Sequence, residues 1–169
     1  DCMSSFIWVK KEELLTKLLS GKIVVPNAVY EELNHDRLPD FFKNSLNTLH
    51  SNGVISLKDI ELSTKAYEIY NSLAITPPPR TKAIGKGEAA AIAMAAVYGG
   101  GIASNNLKDI MPYIEKYNLK HITTGDILIN ALEKHLITEE EGNTIWINMK
   151  RKKRMLPTKT FSEYIQLKK

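Results

Sequence analysis

Apolar and polar positions along this chain follow two periods in turn, helical runs alternating with short β-branched stretches. From Trp8 to Leu19 the apolar residues Val9, Leu14, Leu15, Leu18 and Leu19 recur at helical spacing and Gly21 stops the run, which predicts a helix over 8–19. Lys22–Val25 is β-branched and ends at Pro26, so it reads as a strand leading into a helix over 27–34 with Ala28, Val29 and Leu33 on one side. Leu38-Pro39 begins a helix to about His50, closed by Asn52-Gly53, and Val54–Leu57 is a second strand. Glu61–Leu73 is helical, and Thr76-Pro-Pro-Pro-Arg80 breaks the pattern as an exposed loop.

After Gly87 an alanine-rich helix runs over 88–98, its small side chains suited to close packing, and Gly99-Gly100-Gly101 ends it. Ile102–Ser104 reads as a strand stopping at Asn105-Asn106, then a helix over Leu107–Tyr117, a strand over His121–Thr123, and a helix opened by Gly125-Asp126 and reaching His135. From Glu139 the chain is helical in two pieces separated near Leu156-Pro157. Short strands alternating with longer helices indicate an α/β fold, a three-layer α/β/α sandwich around a mostly parallel sheet. In such sheets ligands bind outside the carboxyl ends of the strands, and Asn105 and Asn106 fall at such an end.

Composition narrows the picture. A chain of 169 residues, 43% of them hydrophobic, suits one domain with a proper core. No apolar run approaches the roughly 18 residues of a membrane span and no signal segment is recognisable, so the cytoplasm is the expected location. The single Cys2 forms no internal disulfide. The net charge of +4 conceals an asymmetry: residues 150–169 carry eight Lys or Arg against one acid, while the first 149 carry 15 basic and 18 acidic groups. An acidic body with a basic end is compatible with nucleic acid contact.

Three carboxylates stand out as candidate chemistry. Asp1 opens the chain before Cys-Met-Ser-Ser, Glu32 lies in Ile23-Val-Val-Pro-Asn-Ala-Val-Tyr-Glu-Glu-Leu33, and Glu88 in Gly85-Lys-Gly-Glu-Ala-Ala-Ala-Ile92. Carboxylates without histidine or thiol companions suit a hard cation such as magnesium or manganese. Such a cation can activate water and stabilise charge on a phosphoryl group. Each acid also has a plainer reading: Asp1 as a solvated acid, Glu32 on an exposed helix face, Glu88 favoured by the helix dipole in a first turn.

The order and spacing of these segments resemble the PIN domain family, metal-dependent ribonucleases common as toxins of toxin–antitoxin pairs, and the resemblance runs along nearly the whole chain. Its best segments are Pro26-Asn-Ala-Val-Tyr-Glu-Glu-Leu33 and Gly87-Glu-Ala-Ala-Ala-Ile-Ala93. The resemblance assigns Asp1 to the family's first metal-binding aspartate, Glu32 to its helix glutamate and Glu88 to its third acid. Glu31 points about 100° away around the helix and is the lesser choice. The family's fourth acid closes a Thr-Asn-Asp type of segment, which here reads Ser104-Asn105-Asn106, so Asn106 offers a neutral oxygen in its place. Asp109, or else Asp126, is a partial replacement, although both also suit helix capping or the dipole, and Ser104 and Asn106 equally suit capping of the helix at Leu107. The resemblance implies a strand ahead of Asp1, which either precedes the first residue given or is missing.

The implied activity is a magnesium- or manganese-dependent endoribonuclease, with Asp1, Glu88 and Asp109 as metal ligands and Glu32 orienting or deprotonating the attacking water. A cognate antitoxin and a homodimer are implied partners. Lys82 and Lys86, and the run Lys150, Arg151, Lys152, Lys153 and Arg154, are candidate RNA contacts, the run reading equally as a solvated face. The four histidines share no metal spacing, Gly99-Gly100-Gly101 lacks the grammar of a nucleotide loop, and Cys2 has no visible base partner. The rival to the nuclease is a PIN-like scaffold that has lost catalysis and binds RNA or protein.

Overall fold

A computed structural model describes residues 1–80 and 82–169. Among the described residues the order is α1 (Cys2–Trp8), α2 (Glu13–Leu19), β1 (Ile23–Pro26), α3 (Asn27–Leu33), α4 (Asp40–Ser51), β2 (Ile55–Lys58) and α5 (Lys65–Ala74). Then come α6 (Lys86–Tyr98), β3 (Gly101–Ala103), α7 (Leu107–Tyr117), β4 (Lys120–Ile122), α8 (Thr124–Glu133), α9 (Glu139–Arg151) and α10 (Phe161–Lys168). The mixed helix–strand architecture expected from the hydrophobic pattern is present. Its sheets are smaller than expected: β1 pairs with β2 and β3 with β4, two strands each. No helix among the described residues is long and apolar enough to cross a membrane.

Of the expected helix over 8–19, only Glu13–Leu19 forms a helix of its own, α2, while Trp8 is the last residue of α1. Lys10 adopts φ of 55°, and its N–H bonds the Ile7 carbonyl at 3.0 Å while the Lys11 N–H reaches back to Phe6 at 2.9 Å. That is the Schellman ending, in which a left-handed residue turns the chain so that orphan carbonyls are satisfied. The segment ahead of it, Cys2–Trp8, forms a helix that begins directly after Asp1 and buries Cys2, Phe6 and Ile7. The same ending closes α4 at Gly53, as the Asn52-Gly53 pair led one to expect, with Gly53 N–H on His50 and Val54 N–H on Leu49.

The chain forms two compact units. One comprises 21–102 and 107–121. In it β1 and β2 run parallel with Ile23 opposite Ile55 and Val25 opposite Leu57, the arrangement that a helical crossover such as α3–α4 permits. Helix α6 is apolar nearly all round, burying Ala89, Ala90, Ile92, Ala93, Met94 and Ala95. A helix of that kind belongs in a core, and α3, α5, α7 and β1 pack on it. Leu73, Ala89, Ile92, Ala95, Ile102 and Ile110 form one buried cluster.

The other unit comprises 1–20, 103–106 and 122–169. Its centre is Trp146, fully buried, with the rings of Phe161 and Tyr164 at 5.9 and 5.2 Å. Two glycines admit those rings: a Cβ at Gly142 would lie 2.3 Å from Phe161 Cδ1, and one at Gly125 2.3 Å from Tyr164 Cε1. Capping boxes start α8 (Thr123 with Asp126) and α9 (Thr138 with Glu141). The basic C-terminal segment is thus anchored by α10 through buried Phe161 and Tyr164.

Candidate functional site

In the strand-containing unit, α3 and the start of α6 bring two of the expected acids to one short stretch of backbone. Gly87 is buried and has no side chain to keep α3 away: a Cβ there would lie 2.9 Å from Val29 Cγ2 and 3.1 Å from Glu32 Oε2. One residue on, Glu88 folds back so that its Oε2 lies 3.5 Å from where a Gly85 Cβ would be. Both carboxylates therefore lie beside Gly85-Lys86-Gly87, in the first turn of α6. That turn carries unsatisfied N–H groups and the positive end of the helix dipole, which favours negative charge. Lys82 and Lys86 are exposed nearby in sequence, and Asp109 is exposed in the first turn of α7.

In the other unit Asp1, Ser104, Asn105, Asn106 and Thr124 form a second constellation. Asp1 Oδ2 accepts the Asn105 N–H at 2.9 Å, and its carbonyl accepts the Ser4 hydroxyl at 2.7 Å. The Asn105 side chain pairs reciprocally with Thr124: Oδ1 accepts the Thr124 N–H at 3.0 Å while Nδ2 donates to the Thr124 hydroxyl at 2.8 Å. The hydroxyl of buried Ser104 accepts the Asn106 N–H at 3.1 Å. Cys2 is fully buried with its Sγ 3.6 Å from Asn105 Oδ1, and burial pushes its thiol up from the ordinary value. A thiol held protonated in that way is a poor nucleophile.

Asp126 has both its oxygens engaged in bonds that cap α8 and tie it to α10. Oδ2 accepts the Thr123 N–H and hydroxyl, each at 2.8 Å, and Oδ1 accepts Tyr164 OH at 2.9 Å and faces Lys168 Nζ at 2.9 Å. Burial works to raise its carboxyl, but the bonds from Lys168, Thr123 and Tyr164 outweigh it and hold the group below the usual carboxylate range. Lys168 is raised in turn by its bond to Asp126, and Tyr164 chiefly by burial.

The basic run is partly engaged. Lys150 Nζ donates to the Thr158 carbonyl at 2.8 Å, Arg154 Nε to Lys152 at 3.2 Å, and Lys152 Nζ lies 5.8 Å from the Trp8 ring centroid. Arg151 reaches Asn148 Oδ1 at 3.5 Å, while Lys153 holds the left-handed ending of α9 with φ of 56°.

The donor chemistry fits a hard divalent cation, since the acids at α6 offer oxygen alone. Among the described residues no three His, Cys, Asp or Glu side chains are gathered in a way that could hold an ion. Sequence reading passed over Gly87, whose lack of a side chain lets Glu32 approach α6. It also passed over the partnership of Asn105 with Thr124. The Gly-x-Gly spacing was the available signal for the first, and nothing local signalled the second.

The DUF3368 family model, described as a PIN domain, matches residues 2–169. No curated protein and no solved structure matches the chain.

Proposed function

The chain belongs to the PIN domain family, and on that premise we propose that it is a divalent-metal-dependent endoribonuclease, the toxin of a toxin–antitoxin pair. PIN domains are generally nucleases, so hydrolysis of nucleic acid is the coarse expectation. The observation that carries the reading furthest is the approach of Glu32 and Glu88 to the same first turn of α6, made possible by Gly87.

Carried over by the resemblance, the catalytic set is Asp1, Glu32, Glu88 and Asn106, and the oxygen donors to magnesium or manganese are Asp1, Glu88 and Asp109. The ion, when bound, supplies Lewis-acid polarisation of the scissile phosphate. Glu32, exposed on α3, orients the attacking water and takes its proton. In-line displacement then leaves a 5′-phosphate and a 3′-hydroxyl, as in the family. Lys82, Lys86 and the 150–154 run contribute positive charge to RNA binding, with Lys153 and Arg151 better placed to do so than the engaged Lys150. The antitoxin inserts a peptide whose arginine pairs with the carboxylates. The protein works in the cytoplasm as a homodimer.

A second reading is favoured by one residue. Asn106 presents a neutral amide where the family has an acid, which suits a scaffold that binds RNA or protein without cutting it. Purified protein incubated with RNA and manganese separates the two. The nuclease cleaves, stops on addition of EDTA, and is abolished by Glu88→Gln with unchanged thermal unfolding. Absence of cleavage together with absence of manganese binding by calorimetry rejects the nuclease in favour of the scaffold.

A further inference from the structure

We infer that Asn105 is a positioning residue whose side-chain amide fixes the backbone N–H that holds the Asp1 carboxylate. The inference rests on the proposed function only in giving Asp1 a catalytic role; the pinning itself is a property of one compact unit. Asn105 stands between a strand and a helix, where an asparagine ordinarily caps the helix. The neighbouring Asn106 N–H bonds the Ser104 hydroxyl. The Asn105 side chain turns instead to Thr124, nineteen residues away in sequence, and makes both halves of a reciprocal pair with it.

A carboxamide is suited to that pairing because it presents an acceptor and a donor side by side. Aspartate has no donor for the Thr124 hydroxyl, and alanine has neither group. Thr124 is a firm anchor: it is fully buried, in the first turn of α8. Thr123, immediately before it, is bonded to Asp126, which Tyr164 and Lys168 hold from α10. From this fixed point Asn105 reaches the start of α1 twice, through its N–H to Asp1 Oδ2 at 2.9 Å and through Oδ1 to the Cys2 thiol at 3.6 Å. Asp1 is exposed and begins a seven-residue helix. Its side chain has rotamer freedom that a backbone hydrogen bond restricts only if the bond's donor is itself immobile. Thr124, Asn105 and Asp1 thus form a chain of hydrogen bonds from a buried helix start to an exposed carboxylate.

The test uses Asn105→Ala, Thr124→Val and Thr124→Ser, first without metal or RNA. Amide hydrogen exchange by NMR reads the bond at position 105 directly. Asn105→Ala and Thr124→Val should accelerate exchange of that N–H by about tenfold or more, while Thr124→Ser, which keeps the hydroxyl, should match the parent. Unchanged exchange at position 105 in both disruptive variants overturns the inference whatever the activity. In RNA cleavage with manganese, the same two variants should lose about 10- to 100-fold in kcat with KM for RNA unchanged, and Thr124→Ser should retain the parent rate. If Asp1→Ala abolishes cleavage while Asn105→Ala cuts at the parent rate, the positioning role is refuted. If Asp1→Ala cuts like the parent, the catalytic assignment of Asp1 fails instead, and the exchange measurement alone decides the pinning.

Discussion

Placing a methyl group on Gly87 tests whether its bare backbone is what lets Glu32 approach α6. The backbone of Gly87 is not in the left-handed region, so alanine meets no conformational penalty there, but its Cβ would lie 2.9 Å from Val29 Cγ2 and 3.1 Å from Glu32 Oε2. Carbon atoms rest at about 3.5–4.0 Å, so the methyl groups overlap by roughly 0.6 Å or more. The Glu32 carboxylate ends a flexible side chain and can withdraw. Val29 cannot do so easily, because a β-branched side chain in a helix has one strongly preferred χ1. Relief must come from an off-rotamer valine or from moving α3 off α6, and overpacking of this kind costs about 1–3 kcal/mol. Alanine regains at most about 1 kcal/mol of helix propensity over glycine, less in a first turn. The expected net is a destabilisation of about 1–2 kcal/mol, read from the urea midpoint at constant m. Because Glu32 is displaced as well, cleavage should fall further than stability, by up to about 100-fold for a shift near 1 Å. Adding Val29→Ala should recover most of the stability and leave cleavage impaired, a coupling that a double-mutant cycle isolates. A Gly87→Ala protein as stable and as active as the parent would show that the close approach of α3 is unimportant.

Four further outcomes follow from the structure. Since Asp126 is held below the ordinary carboxylate range, its contribution is present above the unfolded value of about 3.9 and is lost as pH falls through the folded one; Asp126→Asn should flatten the acid limb of a Tm-against-pH profile, and an unaltered limb refutes the clamp. Lys168 and Tyr164 are raised, so their contribution persists at neutral pH and is lost as pH rises through their folded values, which Lys168→Met should show as a weaker alkaline fall in Tm. His135 ends α8 with φ of 55° and is exposed, so His135→Gly should stabilise by about 0.5–1 kcal/mol, the relief of the Cβ clash less glycine's entropy; a lower urea midpoint is the contrary result. Asn106→Asp restores the family's acid, and for a nuclease it should lower the manganese concentration for half-maximal cleavage roughly tenfold, or about 1.4 kcal/mol, whereas a scaffold shows no change.

Most of the fold was legible because helix and strand periods were locally unambiguous. The helix over Leu107–Tyr117 has the boundaries expected of it, and β1, β2, α3, α4 and the Asn52-Gly53 stop lie within a few residues of expectation. The failures have specific causes. Helix α1 was missed because Cys2–Trp8 buries small polar Ser4 and Ser5 alongside Phe6 and Ile7, so its inward face does not look apolar in sequence. The Ser4 and Ser5 hydroxyls are satisfied by the Asp1 carbonyl, a solution that no hydrophobic count detects. The break after Trp8 was invisible because a lysine occupies the left-handed position where glycine would have announced it. Short strands of three and four residues carry too little periodicity to declare their partners, so the pairing into two small sheets could not be read in advance.

At the candidate site, what could be read was side-chain chemistry, and what could not was the role of residues whose side chains serve others. Glu32 and Glu88 declare themselves as acids on helices, but the sequence cannot say whether two helices approach closely enough to set them against one turn. That depends on Gly87, whose contribution is an absent Cβ against Val29. Asn105 shows the converse. Between a strand and a helix its side chain is expected to bond locally, yet it pairs with Thr124, 19 positions further on. Asp126 was ambiguous between ligand and cap, and the deciding partners, Tyr164 and Lys168, lie 38 and 42 positions further on. Once four donors surround its two oxygens, binding a cation would mean breaking those bonds and leaving buried Tyr164 and Thr123 short of partners, at about 1–3 kcal/mol for each unsatisfied group. The proposed chemistry is placed on Glu32 and Glu88 because both approach the first turn of α6, where unsatisfied N–H groups and the helix dipole favour negative charge.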